Sequence, residues 1–167
     1  MLKDEIKLLA FDADDTLWDC QSHFASVEEA YCRLLADYGT ADEISQALFA
    51  TETADMPHLG YGAKAFTISL VENAIQVSGG NVTADVIMRI IGLGRSLLEL
   101  PGEPLPEVAD TLSQLKKSGR YVMVVFTKGE ILDQKNKLRR SGLDQYFDDA
   151  VIVADKTKEE YRKLCTR

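Results

Sequence analysis

The sequence has few cysteines, and those it has are poorly spaced for cross-linking or metal binding. Only three of its 167 residues are cysteines, Cys20, Cys32 and Cys165, and none of them forms a Cys-X-X-Cys pair. An odd number of cysteines without paired spacing argues against a zinc site or a disulfide framework and favours a reducing compartment. The first apolar segment follows Asp4 and Glu5, so we expect no signal peptide. These features predict a cytoplasmic protein.

Long apolar segments and an excess of basic residues are also missing. No uninterrupted apolar segment approaches the roughly 20 residues of a membrane-spanning helix. The 27 acidic residues outnumber the 19 basic ones, which gives a formal net charge of −8. A surface with this charge repels both the phosphate backbone of nucleic acids and anionic lipids. We therefore expect neither nucleic acid nor a membrane as a partner.

What the sequence does contain is typical of one globular α/β domain with an insertion. Hydrophobic residues make up 46% of the chain and charged residues 28%, as in ordinary folded proteins. Short apolar segments predict strands at 7–13, 121–127 and 150–154. Near-continuous apolar segments of this kind are typical of a parallel sheet covered on both faces. Helical segments at 105–118 and 130–141 flank the second strand, which predicts an α/β core.

The region between the first and second predicted strands has a different pattern. From residue 20 to residue 100 it shows helical periodicity and no convincing strand signal. Four helices are predicted, at 21–38, 42–54, 63–78 and 83–98, with glycines and a proline between them. Pro101, Pro104 and Pro106 then mark the return to the core. We predict a core made of residues 1–18 and 101–167 and an inserted all-helical cap made of residues 19–100.

Acidic residues cluster directly after the first predicted strand. The segment LLAFDADDTLW places Asp12, Asp14 and Asp15 at its carboxyl end, where open parallel sheets bind ligands. In an extended chain, Asp12 and Asp14 share one face and lie roughly 6 to 7 Å apart. Carboxylates that close repel each other unless they share a cation or one is protonated. A hard divalent ion, most simply Mg²⁺, would remove the repulsion and bind a phosphate, so both are candidate metal ligands.

The other two predicted strands end in residues that suit an anion. Thr127 is followed by Lys128 and Gly129 at the start of a helix, where a hydroxyl and free backbone N–H groups favour negative charge. The third strand leads to Lys156 and Lys158, which add positive charge at the same edge of the sheet. A carboxylate nucleophile, a metal site and phosphate-binding groups are therefore expected at one edge of the sheet.

These motifs resemble those of the haloacid dehalogenase (HAD) superfamily. Its members carry an apolar strand ending in DxDx[TV], a later apolar strand ending in Ser or Thr, and then a lysine. The matching segments here are Asp12 to Thr16 (DADDT), Val124 to Thr127 (VVFT) and Lys156. The resemblance covers nearly the whole chain. It implies a HAD-like α/β fold, in which a Rossmannoid three-layer parallel sheet carries an inserted all-α cap.

The resemblance also implies a phosphatase that uses Mg²⁺ and acts on a small phosphorylated metabolite. Asp12 would attack phosphorus and form an aspartyl-phosphate. Asp14 would protonate the leaving oxygen and then deprotonate the hydrolytic water. Thr127 and Lys156 would bind the phosphoryl oxygens. Lys128, which follows Thr127 at the start of the helix, is a further candidate phosphate-binding residue.

Two points refine this assignment. Lys158 is an alternative to Lys156, which lies closer to its strand and precedes Tyr161 at a spacing typical of this group of hydrolases. Dehalogenases and phosphonate hydrolases of the superfamily lack an aspartate at the position of Asp14, so the resemblance favours hydrolysis of a phosphate ester.

The sequence departs from the family after Lys156. Family members normally have a fourth strand followed by acidic residues that complete the Mg²⁺ shell, and no such segment follows here. The chain is either a fragment of a longer protein or a naturally short version, and the sequence leaves both open. We expect weak metal binding and an exposed edge of the first strand that could pair with a second copy of the chain. The alternative function is a non-catalytic phosphate-binding or interaction module on the same scaffold.

Overall fold

The structure is a computed structural model that describes residues 6–166. The chain divides into two compact units, one formed by Met1–Cys20 with Pro101–Arg167 and the other by Gln21–Leu100. The division after Cys20 falls two residues beyond the predicted boundary at residue 18. A local bond explains the difference, because the backbone N–H of Cys20 donates to Oδ1 of Asp15 at 2.9 Å and so ties Cys20 to the first unit.

The first unit is built on a three-stranded parallel sheet with the order β1-β2-β3. Its strands are β1 (Leu8–Phe11), β2 (Val122–Lys128) and β3 (Asp149–Val153). Leu8 pairs with Val122, and Val124 pairs with Asp149. The α/β fold class predicted from the sequence is confirmed, and each strand differs from its predicted range by only one or two residues at an end. Within residues 6–166, β1 is an edge strand, as expected.

The central strand β2 is buried on both of its faces because its side chains alternate. Met123 and Val125 pack with Leu112 and Leu138 on one face. Val124 and Phe126 pack with Leu164 on the other. The covering helices are α5 (Val108–Ser118) and α6 (Ile131–Arg140) on the first face and α7 (Lys158–Cys165) on the second, with a short 3-10 helix at Asp144–Tyr146 before β3.

The insertion leaves the first unit and returns to it at neighbouring positions. The backbone N–H of Leu105 donates to the carbonyl of Leu17 at 2.9 Å, and Trp18 forms an isolated antiparallel bridge with Pro104. Helix α5 then begins at Val108 instead of residue 105. The left-handed backbone of Glu107 (φ 66°) delays it, because that conformation cannot lie inside a right-handed helix.

The second unit is all-helical. It consists of α1 (Gln21–Leu34), α2 (Ala41–Leu59), α3 (Ala63–Val77) and α4 (Ala84–Leu97). Tyr31, Leu35, Leu48, Leu70 and Ile90 lie at the centre of its apolar core. A buried hydrogen bond from the Tyr31 hydroxyl to Oδ1 of Asn73, at 2.6 Å, satisfies the polar groups there.

Two helices of this unit differ from their predicted ranges by more than one residue at an end. Helix α1 ends at Leu34 instead of residue 38, because the chain folds into a turn closed by a bond from Tyr38 N to Leu35 O at 2.8 Å. Helix α2 continues past residue 54 and through Pro57 to Leu59. Pro57 has no N–H to donate to the carbonyl of Thr53 and so removes one backbone bond, but the bond from Gly60 N to Met56 O at 3.0 Å still closes the last turn.

In the part of the chain that the structure describes, no helix combines the length and apolarity needed to cross a membrane. The three cysteines are free, with Cys20 and Cys32 buried and Cys165 exposed.

Candidate active site

The chain turns sharply after β1 and presents its acidic residues at the carboxyl end of the sheet. The backbone N–H groups of Thr16 and Leu17 both donate to the carbonyl of Ala13, at 3.1 and 2.7 Å. Asp15 adopts a left-handed conformation with φ 57°, which aspartate tolerates better than most residues. Its Oδ1 accepts the Cys20 N–H, so Asp15 closes this turn.

Asp12 is a half-exposed carboxylate held by one of its two oxygens. Oδ1 accepts hydrogen bonds from Nζ of Lys156 at 2.6 Å and from the backbone N–H of Ala13 at 2.9 Å. Oδ2 accepts no hydrogen bond from residues 6–166. The side chain of Asp12 is 48% exposed, so this second oxygen can meet an incoming ligand.

Asp14, by contrast, is held by both oxygens. Oδ1 accepts from Nε1 of Trp18 at 2.8 Å and from Nζ of Lys137 at 2.7 Å. Oδ2 accepts from Nε2 of Gln134 at 2.7 Å. Burial acts to raise the pKa of the Asp14 carboxyl, but the charge of Lys137 and the hydrogen bonds outweigh it and hold the pKa below its ordinary value. Asp14 is therefore ionised at neutral pH.

Lys137 lies almost wholly inside the protein, with 4% of its side chain exposed. Burial acts to lower the pKa of its ammonium group, but the neighbouring Asp14 carboxylate overrides this effect and raises the pKa above the ordinary value for lysine. A second carboxylate, that of Asp133, lies 3.6 Å away. Burial, opposed in part by Lys137, raises the pKa of Asp133, and Oδ1 of Asp133 has no partner within the described residues.

Helix α6 brings these groups to the end of the sheet. Glu130 caps its start by accepting the backbone N–H groups of Leu132 and Asp133 at 3.2 and 2.9 Å. Gln134 lies one turn further on, and its Nε2 also donates to the carbonyl of Lys128 at 3.2 Å. Gln134 thus connects the end of β2 with the loop after β1.

Thr127 and Lys128 lie at the same edge of the sheet through strand register. Phe11 pairs with Val125, so Thr127 lies level with the loop that contains Asp12. Thr127 is buried, and among residues 6–166 its hydroxyl donates only to the carbonyl of Lys128, at 3.4 Å. Lys128 is the last residue of β2. The predicted phosphate-binding roles of both residues remain predictions.

The two candidate lysines after β3 differ in their surroundings. Lys156 reaches Asp12 and also lies over the ring of Phe126, 5.6 Å from its centre. Lys158 is the first residue of α7 and is exposed. The geometry therefore favours Lys156 as the lysine of the site.

Cys20 lies near the same carboxylates but is a poor nucleophile. Burial first, and then the charge of Asp14, raise the pKa of its thiol to about 12. The thiol is therefore protonated at neutral pH, whereas the thiolate is the nucleophilic form of cysteine.

The site offers hard oxygen ligands for Mg²⁺ but few carboxylates. No group of three or more His, Cys, Asp or Glu side chains within residues 6–166 is arranged to hold a metal ion. The Asp12 carboxylate remains available, and because both side-chain oxygens of Asp14 already accept hydrogen bonds, a ligand from Asp14 would be its backbone carbonyl. Mg²⁺ commonly binds one or two protein oxygens and takes its other ligands from water and substrate phosphate. The residues present fit that mode.

Three residues of this site were not identified from the sequence: Asp133, Gln134 and Lys137. They lie in a strongly polar helix whose lysines and arginines look alike in sequence. Their spacing was the available signal, because positions 133, 134, 137 and 138 form one face of a helix, and Leu138 on that face is buried.

A parallel sheet whose first strand is followed by a half-exposed aspartate, paired with a lysine from beyond the last strand, makes this an α/β protein with a candidate site at the carboxyl edge of its sheet. The chain belongs to the haloacid dehalogenase-like hydrolase family, which matches residues 6–166. Comparison with curated proteins gives no match.

Solved structures share the fold. A haloacid dehalogenase-like family hydrolase from Xanthomonas campestris is 31% identical, with a TM-score of 0.89 over 96% of this chain and 67% of that one. YfnB from Bacillus subtilis, bound to magnesium, is 21% identical with a TM-score of 0.62, over 97% of this chain and 74% of that one. The L-2-haloacid dehalogenase of Xanthobacter autotrophicus, with chloropropionic acid covalently bound, is 20% identical with a TM-score of 0.52, over 89% and 57%.

Proposed function

We propose that this hydrolase is a Mg²⁺-dependent phosphatase that cleaves small phosphate monoesters through an aspartyl-phosphate on Asp12. The observation that supports this most directly is the half-exposed Asp12 carboxylate, with Oδ1 bound to Lys156 and Oδ2 unoccupied by donors from residues 6–166. A carboxylate fixed through one oxygen presents the other to an electrophile.

In the first step, Oδ2 of Asp12 would attack phosphorus while the bond from phosphorus to the ester oxygen breaks. In the second step, water would attack the same phosphorus, the bond between Asp12 and phosphorus would break, and Asp14 would accept a proton from that water. Lys156, Thr127 and Lys128 would bind the non-bridging oxygens and offset their negative charge.

The lowered pKa of Asp14 suits the second step better than the first. An ionised carboxylate can accept a proton from water at neutral pH, whereas donation to the leaving oxygen needs the protonated form. We therefore expect substrates whose leaving group departs without a proton, such as aryl phosphates, to react faster than alkyl phosphates.

Mg²⁺ would polarise the phosphoryl group and reduce its repulsion of the Asp12 carboxylate. The Asp12 carboxylate and the backbone carbonyl of Asp14 would hold the ion. The magnesium-bound form of YfnB, which has the same fold, is compatible with this assignment. A small phosphorylated metabolite in the cytoplasm remains our proposal for the natural substrate, and pairing of two copies through the β1 edge remains a prediction.

The test is release of p-nitrophenol from p-nitrophenyl phosphate with Mg²⁺ or with EDTA, for the parent protein and for Asp12→Asn. We expect activity in the parent with Mg²⁺ only and none in the variant, because an amide is neither an anionic nucleophile nor a good ligand for this ion. Chloride release from 2-chloropropionate, assayed in parallel, would instead indicate a dehalogenase. Phosphate binding by the parent without turnover of either substrate would indicate a non-catalytic module.

A further inference from the structure

The Asp14 carboxylate is held by donors from two distant parts of the first unit. Trp18 belongs to the same loop, whereas Gln134 and Lys137 come from helix α6, and together they occupy both oxygens at 2.7 to 2.8 Å. Rotation of the carboxylate about its bond to Cβ would break at least one of these bonds. The side chain therefore has one fixed orientation.

We propose that Lys137 and Gln134 are positioning residues that set the orientation of Asp14 for its step in hydrolysis. This inference rests on the proposed function, in which Asp14 handles the proton of the attacking water. Lys137 and Gln134 do not themselves touch the reacting atoms in this scheme, since they act through the carboxylate of Asp14.

The burial of α6 supports the proposal. Its inward face carries Asp133, Gln134 and Lys137, all of them buried, next to a single buried leucine, Leu138. Burying polar and charged side chains costs free energy unless they are paired. An apolar face would pack against the sheet without that cost, and here two of the three polar side chains, Gln134 and Lys137, donate to Asp14.

Gln134 also ties Asp14 to the strand that ends in the predicted phosphate-binding residues. Its Nε2 bridges Oδ2 of Asp14, at 2.7 Å, and the carbonyl of Lys128, at 3.2 Å. Gly129 makes room for this bridge, because a Cβ at that position would lie 3.0 Å from Nε2 and 3.3 Å from Cγ of Gln134. Its φ of 139° is also a conformation that favours glycine. The bridge fixes the position of Asp14 relative to the end of β2.

The first test compares Lys137→Met and Gln134→Leu with Lys135→Met, an exposed lysine on the same helix. With p-nitrophenyl phosphate and Mg²⁺, we expect kcat to fall about 10- to 100-fold in the first two variants, as for other residues that orient a ligand or catalytic group. KM should change little, because neither residue contacts substrate. Lys137→Arg should recover part of kcat, since a guanidinium can donate to the same oxygen.

The second test needs no activity. The protein has one tryptophan, so its indole N–H gives a single resonance in a ¹⁵N-correlated NMR spectrum. Trp18 donates to the same Asp14 oxygen as Lys137, so this resonance reports the orientation of the carboxylate. We expect it to shift in Lys137→Met and Gln134→Leu and to stay in place in Lys135→Met.

The outcomes separate this inference from the proposed function. Parent-like kcat in Lys137→Met and Gln134→Leu, with an unmoved indole resonance, would overturn the positioning role. If Lys137→Met does not fold, as judged by circular dichroism, Gln134→Leu decides, because it keeps the ion pair. If the parent releases no phosphate, the proposed function fails, and the indole resonance alone shows whether Lys137 and Gln134 orient Asp14.

Discussion

Nζ of Lys156 lies 2.6 Å from Oδ1 of Asp12, so the loop after β3 is joined to the loop after β1 by an ion pair at the proposed phosphate site. The pair is partly exposed to solvent, and such pairs contribute little to folding stability. Its main effect should therefore be on the rate of catalysis. In the proposed mechanism, the lysine orients the nucleophile and neutralises charge on the phosphoryl group.

We predict that Lys156→Met lowers kcat/KM for p-nitrophenyl phosphate by about 100- to 1000-fold, the usual loss when one stabilising donor is removed. The matched control is Lys158→Met, two residues away and exposed, which should stay within about threefold of the parent. Steady-state assays of both variants measure kcat/KM and test this difference. Equal, large losses in the two variants would show that both lysines act at the site and would contradict the assignment of this role to Lys156 alone.

Asp14→Asn should separate the two chemical steps. An aryl leaving group departs without a proton, so Asp12 can still attack, but no carboxylate remains to activate water. We expect rapid quench to show a burst of about one equivalent of p-nitrophenol followed by very slow release, the sign of a covalent intermediate. Asp12→Asn should show no burst. A slow, linear release in Asp14→Asn would contradict this division of roles.

Two glycines in α4 should respond in opposite directions to replacement by alanine. A Cβ on Gly94 would lie 1.9 Å from Oγ1 and 2.7 Å from Cβ of Thr67 in α3, so the two helices must move apart. We predict that Gly94→Ala lowers the free energy of unfolding by about 1 to 3 kcal/mol, as overpacking usually does.

Gly92→Ala is the control for this prediction. A Cβ there meets no heavy atom within 4 Å, so the substitution only removes the backbone freedom of glycine. It should raise the free energy of unfolding by about 0.5 to 1 kcal/mol. Urea denaturation of both variants measures the difference. Equal effects of the two substitutions would mean that α3 and α4 are not packed this closely.

Asp148 should make a small part of the free energy of unfolding depend on pH, small because the side chain is exposed to solvent. Its hydrogen bond from Lys116, together with one from the backbone N–H of Met123 at 2.8 Å, holds the pKa of its carboxyl below the ordinary value. Both hydrogen bonds stabilise the ionised form of the carboxyl group. Its contribution to the free energy of unfolding is therefore complete above the unfolded-state pKa, at about pH 4. This contribution is lost as the pH falls through the lower folded-state pKa.

We expect Asp148→Asn to have a lower urea midpoint than the parent at pH 7 and a midpoint that approaches that of the parent as the pH falls below about 4. Asp144→Asn, at an exposed position of the preceding 3-10 helix, should show no such convergence. Parallel pH profiles for the parent and Asp148→Asn would mean that the carboxylate does not support the first residues of β2.

The candidate site residues that lie directly after strands could be predicted from the sequence. Asp12 and Lys156 stand at the carboxyl ends of β1 and β3, and parallel strands bring such residues to one edge whatever their distance in the chain. Lys137 was not identified, because its role depends on which face of α6 turns inward and a single leucine, Leu138, marks that face as apolar. In a helix with the sequence ILDQKNKLRR, few apolar residues indicate which face is buried.

The ends of the helices were predicted less well than their positions in the chain. The early end of α1 and the late start of α5 depend on backbone turns at Tyr38 and Glu107, and these leave no distinct composition signal. Helix α2 continues through Pro57 although this proline cannot donate a backbone bond, and the bond from Gly60 N to Met56 O closes its last turn. Sequence patterns report which face is apolar more reliably than where a turn begins.

The bridge between Trp18 and Pro104 has a consequence for the order in which the chain folds. Strands β1 and β2 pair directly, Leu8 with Val122, yet the whole helical unit lies between them in sequence. Bringing such distant segments together costs loop entropy and slows folding, whereas helical contacts form locally and early. Once the helical unit has formed, the packing of α1 against α4 replaces a long flexible loop between the two strands. We therefore expect refolding to be biphasic, with helical signal appearing first and the environment of Trp18, which lies beside the bridge, changing in the slower phase as the sheet closes.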